Sequence, residues 1–160
     1  MSKHLLPIQL IENLVDYYKT HQLYSIENSV KFPMAFDATA ALFSLEQLKD
    51  FIATIEEEVA KHPKTPVNNI GIRFYYAAYP ETSNWHGENY EALETVDTEY
   101  AKLHTLIAVP TMEIDGISYD FDPSDVNTYQ GQKPTGKGIA IMAENHGVLF
   151  PPGPKVGLWF

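Results

Sequence analysis

The sequence predicts an α+β fold, with two N-terminal helices packed on one face of a mostly antiparallel sheet and an extended Pro/Gly-rich arm at the C-terminus. Three stretches predict it. Residues 70–79 are a run of β-branched and aromatic residues bounded by Asn68-Asn69 and Pro80, the composition of a strand. Ser44, followed three residues later by Gln47, makes a capping box ahead of an apolar stripe and so marks a helix start. Asp115-Gly116 is a type I′ turn signal that joins the apolar runs 103–114 and 117–121 into a hairpin. Helices come first and strands follow, without the alternation that would build a parallel sheet.

Taken in order, Pro7 suits a first helical turn, and Leu10, Ile11, Leu14, Val15 and Tyr18 recur at spacings of three and four. A helix over residues 7–21 follows. Val30, Phe32, Met34 and Phe36 alternate, and Pro33 restricts that segment to an edge strand or an extended arm. The second helix is expected from Leu45 to about Lys61, with Leu45, Leu48, Ile52, Ile55 and Val59 as its core stripe. Residues 81–99 hold six acidic side chains and no Lys or Arg, and read as an acidic surface loop with a short helix near residues 90–96. Within it Trp85 either folds back onto the core or stays exposed as a contact. Pro110 lacks an N–H and should lie at an edge or a bulge. Residues 122–137 read as loop, 139–143 as a short last strand and 148–160 as the extended arm. The arm ends in Leu158-Trp159-Phe160, which is apolar enough to dock on its own domain or on a second copy.

Composition bounds the function. The chain has 160 residues, 44% of them hydrophobic, which fits one domain over residues 1–160. A net charge of −10, from 21 acidic and 11 basic residues, argues against nucleic acid and anionic membrane surfaces as partners. The absence of cysteine excludes disulfides, thiolate metal sites and a cysteine nucleophile. No secretion signal and no apolar window of membrane-spanning length is seen, so the expected location is cytoplasmic.

Several residues bear on chemistry. Arg73, the only arginine, sits within the 70–79 strand, where its guanidinium needs a partner or an exit to water. It either makes a structural contact to a tyrosine or carboxylate, or presents a fork to an anionic ligand. Residues 131–138 (Gly-Gln-Lys-Pro-Thr-Gly-Lys-Gly) copy the glycine and lysine spacing of a phosphate-binding loop but lack the hydroxyl residue after the lysine. No cofactor is expected there. Asp120, Asp122 and Asp125 crowd one loop and suit a hard cation, yet Asp125 and Gly131 stand where an EF-hand needs glycine and glutamate. The alternative is solvated turn carboxylates. His104 and His146 with a carboxylate would make a metal or acid–base site, or else are structural hydrogen-bonding groups.

Gly71-Ile-Arg-Phe-Tyr75 with Tyr79-Pro80, His104-Thr-Leu-Ile-Ala-Val-Pro-Thr111, Asn145-His-Gly-Val-Leu-Phe-Pro-Pro152 and Phe43-Ser-Leu-Glu-Gln-Leu48 occur in one chain. Together they resemble a family of small uncharacterised bacterial proteins over about residues 40–152. The resemblance implies Arg73, His104, Asn145 and His146 as marked polar positions and brings no activity with it. The expectation is binding of a small anionic ligand or a protein partner through Arg73 with His104, Asn145 and His146. One alternative is a metal-assisted hydrolase using His104, His146 and an aspartate of residues 120–125. Another is an interaction protein that dimerises through its C-terminal arm.

Overall fold

The computed structural model describes residues 5–31, 34–65, 67–86, 90–134 and 141–151, and is α+β with antiparallel sheets. Helix α1 (Ile8–Tyr18) runs through a π-helical turn (Lys19–Leu23) into the single turn α2 (Tyr24–Glu27). The helix passes its expected end at residue 21 because no Gly or Pro stops it there. Side chains carry it onward, Thr20 Oγ1 donating to the Asp16 carbonyl and Ser25 Oγ to the His21 carbonyl, each at 2.7 Å. Asn28 closes the helix, its Nδ2 donating to the Tyr24 carbonyl at 2.8 Å.

A short strand β1 (Ala40–Leu42) and the 16-residue helix α3 (Leu45–Ala60) follow. The capping box forms: Ser44 Oγ accepts from the Gln47 N–H at 3.1 Å, and Gln47 Oε1 accepts from the Ser44 N–H at 2.9 Å. The buried face of α3 is rotated from the expected one. Phe51 and Ile55 are buried while Leu45 and Ile52 stay exposed, because the sheet offers the small Ala108 as the seat for a large ring, with Ile72 beside it.

The main sheet has the order β2 (Asn68–Ala78), β3 (His104–Ile114), β4 (Ile117–Asp120), every pairing antiparallel. Asp115 and Gly116 join β3 to β4 with φ of 50° and 78°, as a type I′ turn requires. Pro110 departs from expectation, since it lies buried within β3 opposite Ile72. The ladder tolerates it because the Pro110 carbonyl accepts from the Phe121 N–H at 3.1 Å, one residue past the end of β4. Its donorless nitrogen faces that same side, so the β2–β3 ladder loses nothing.

A second, two-stranded sheet pairs β1 with β5 (Val148–Phe150), so the expected arm begins as a strand. Residues 34–36 and 141–143 are irregular instead of extended strands, and the 141–144 segment contributes one bridge, Glu144 to Ala108. Residues 32–33, 135–140 and 152–160 lie outside the described residues, and with them part of each expected outer strand, half of the Gly-Lys loop and the Trp159-Phe160 tail. The acidic segment contains three short 3-10 turns, Thr82–Asn84, Glu91–Thr95 and Thr98–Tyr100. Trp85 folds back into a core with Ala38, Tyr79, Leu103 and Leu149, and its Nε1 donates to the Pro80 carbonyl at 3.0 Å. A separate core joins Met112, Phe121 and Tyr129.

Two measurable consequences follow from this packing. Gly131 sits at φ 72°, and a Cβ there would meet the Tyr119 ring at 2.8 Å. Gly131→Ala should therefore lower unfolding stability by about 1–3 kcal/mol, read from a denaturant midpoint. Burial also pushes the Tyr79 and Tyr129 phenols above the usual value of 10.0, the nearby Thr105 hydroxyl opposing this at Tyr79. The neutral phenol is the form the fold favours, so its contribution is full below the unfolded pKa and is lost as pH rises through the higher folded value. Melting temperature should hold up to about pH 10 and drop beyond it, in step with tyrosinate absorbance; a flat profile through that range would contradict the assignment.

Candidate functional site

Asp37 is the only charged residue between Lys31 and Glu46, and its side chain is fully shielded from solvent at 0% exposure. A carboxylate in that position must be satisfied by donors. Asp37 Oδ1 accepts the backbone N–H groups of Ala38 and His104, each at 2.7 Å, and Oδ2 accepts from His104 Nδ1. The Asp37 N–H in turn donates to Glu27 Oε1 at 3.0 Å, which ties the end of α2 to the same point. One residue thus holds three parts together: its backbone N–H ties the helical segment, and its carboxylate ties the loop before β1 to the first residue of β3.

The geometry fixes the imidazole. A carboxylate can only accept, so in the neutral ring Nδ1 carries the hydrogen and Nε2 is left as a base and acceptor. Nε2 has no hydrogen-bond partner among the described residues. The His104 side chain keeps 39% of its surface accessible and lines a cleft of about 650 Å³. Leu14, Val15, Tyr18 and Ile26 form one wall of that cleft; Tyr76 and Leu106 of the sheet form another. Burial raises the Tyr18 pKa above 10.0, with the negative charges of Asp37 and Glu27 adding to it, so the phenol stays a neutral donor at ordinary pH. A fixed base, a neutral hydroxyl and apolar walls together can hold a small molecule and move one proton.

The other sequence-predicted residues lie elsewhere. Arg73 pairs with Val109 and His104 with Ala78, so five ladder positions separate them. That is roughly 17 Å along the strands, and the odd spacing puts them on opposite faces. Arg73 Nη1 donates to Asp120 Oδ1 at 2.5 Å and Nη2 to the Ser118 carbonyl at 2.9 Å, while the Tyr75 hydroxyl also donates to Asp120. The Tyr75 hydrogen bond pushes the guanidinium pKa further up; burial opposes it, and the Asp120 charge adds a lesser upward push. Arg73 therefore ties β2 to β4. Asn145 offers its carbonyl to the Tyr79 hydroxyl at 3.3 Å. His146 is exposed, with Nδ1 3.2 Å from Glu144 Oε1 and its carbonyl accepting from Gln47 Nε2 at the start of α3.

The loop aspartates are likewise engaged within the chain. Asp122 Oδ1 accepts from the Ser124 N–H and hydroxyl, and Asp125 Oδ1 from the Asn127 N–H and amide. Among the described residues no group of three or more His, Asp or Glu is arranged to hold a metal ion, so His104, His146 and an aspartate of 120–125 form no assembled ligand set there. No motif marks Asp37 as a site residue, and the sequence marks Tyr18 only as part of the apolar stripe of α1. The available signal for Asp37 was a lone carboxylate inside the long apolar run 32–45.

No family model, curated protein or solved structure matches this chain. Among the described residues no helix is long and apolar enough to cross a membrane.

The tautomer is directly measurable. Long-range ¹H–¹⁵N correlation should show the neutral His104 ring protonated on Nδ1, and Asp37→Asn should shift the population toward the Nε2-protonated form. An Nε2-protonated ring in the unaltered protein would sink the assignment.

Proposed function

We propose that the cleft beside His104 binds a small, largely apolar molecule carrying one acidic or hydroxylic group, and that His104 accepts or shares the proton of that group. The observation that carries this is the pairing of a fully shielded carboxylate with an imidazole that remains accessible to an apolar cleft of about 650 Å³. Sites for small ligands typically enclose about 300–1,000 Å³ with few polar groups among apolar walls. Asp37 orients the ring and stabilises the imidazolium once a proton has moved, without taking the proton itself. The Tyr18 phenol supplies a second, neutral hydrogen bond.

In this reading α1 and α3 lie over the same sheet face. Residues 72, 76, 106 and 108 alternate onto one side; Ile72 and Ala108 meet α3, while Tyr76 and Leu106 line the cleft opposite residues of α1. An anionic product of proton transfer would be held by the imidazolium, which retains the expected anion preference at His104 without Arg73, Asn145 or His146.

Ligand-observed NMR against small phenols and short carboxylic acids tests this. Binders should lose affinity about tenfold or more in His104→Gln, equivalent to roughly 1.4 kcal/mol, and lose it also in Leu14→Asp. Arg73→Lys should leave the affinity unchanged. Binding indifferent to His104 and Leu14 would refute the site.

A further inference from the structure

We infer that the open edge of β2 is the interface between two copies of this chain. β2 is 11 residues long and, among the described residues, pairs with β3 on one side only. No backbone hydrogen bond from another described residue reaches its other side. A long strand edge left bare is a template for pairing, and proteins that stay single usually blunt it with proline, lysine, a bulge or a covering segment. β2 has neither proline nor lysine, and its only register shift lies at the start, between Asn68 and Gly71. Its one charge, Arg73, is already drawn to Asp120.

The side chains along this edge are apolar and exposed. Tyr76 is 91% accessible, and Ile70, Phe74 and Tyr75 are each above 40%. At the Ile70 end, Ile52 and Ile55 of α3 continue the strip as a groove with Ile70 and Ile72. At the Tyr76 end the strip meets the wall of α1.

The occupant that fits is the strand itself. An antiparallel pairing about a two-fold axis at Phe74 sets Arg73 against the other copy's Tyr75, Ile72 against its Tyr76 and Ile70 against its Ala78. Aromatic–aliphatic and cation–aromatic cross-strand pairs are favourable, whereas an axis at Arg73 would oppose two guanidinium groups. The result is one continuous sheet with β2 strands at its centre, in which the groove at α3 of each copy faces the α1 end of the other. A chain of net charge −10 repels its own copy; β2 itself carries no acidic residue, Glu56 of α3 rims the groove beside it, and salt screens the repulsion.

Light scattering on the intact protein should give twice the chain mass of 18.1 kDa, with a dimer that strengthens as salt is raised. Ile70→Lys combined with Tyr76→Lys should halve the mass while circular dichroism stays the same, since both positions are exposed. The chain has no cysteine, so a single Phe74→Cys should give a disulfide-linked dimer under mild oxidation and Ser83→Cys should not. Ile70→Lys alone, at the strand end far from His104, should weaken the dimer while small-phenol binding in the His104 cleft persists, which separates this interface from the ligand site. A monomer at concentrations far above micromolar, a dimer that survives the double lysine variant, or capture of a foreign peptide by a monomeric β2 edge would each overturn the inference.

Discussion

The carboxylate of Asp37 is the constraint on which the rest of the described structure depends. It is out of water, and among the described residues no lysine or arginine is bonded to it. Its solvation is supplied by two backbone N–H groups and one imidazole, and the imidazole lies 67 residues further along the chain. Only when β3 arrives at the loop before β1 are these donors in place. Removing the carboxylate would strand them, and removing the imidazole would strand the carboxylate, so each side of the contact enforces the other. The same contact that closes the fold also aims a base at the cleft.

Arg73 plays a comparable part on the opposite sheet face, by different means. Its guanidinium and the Tyr75 hydroxyl converge on Asp120, joining β2 to a strand that β2 does not touch through its backbone. The pair is about one-third exposed, and partly exposed ion pairs of this kind contribute little, about 0–1 kcal/mol each. Its service is to hold the short β4 in register across the central strand. A lone arginine in a strand therefore need not announce a ligand.

What could be read from the sequence was whatever rests on neighbours a few residues apart. The Ser44–Gln47 box placed the start of α3, the Asp115-Gly116 pair placed the hairpin, and the aromatic run placed β2. Features decided by distant chain could not be read this way. Phe51 displaced Ile52 from the core because of Ala108, and Pro110 entered a central strand because β4 happens to end beside it. The need of Arg73 for a partner was legible, but the choice of Asp120, 47 residues away, was not. Asp37 was hardest of all, since one aspartate in an apolar stretch looks like any loop residue until the imidazole is set against it.

Helix α1 lines the cleft with partly buried side chains and fully buries none of them, while the first fully buried residue behind it is Leu23. Swinging α1 outward would break no core packing, whereas moving His104 or Asp37 would break several hydrogen bonds at once. The two sides of the cleft thus differ in stiffness. In the proposed site this asymmetry would make the cleft lenient about the bulk of a ligand and strict about the polar group presented to its strand side, so chemically matched molecules of quite different size would share it.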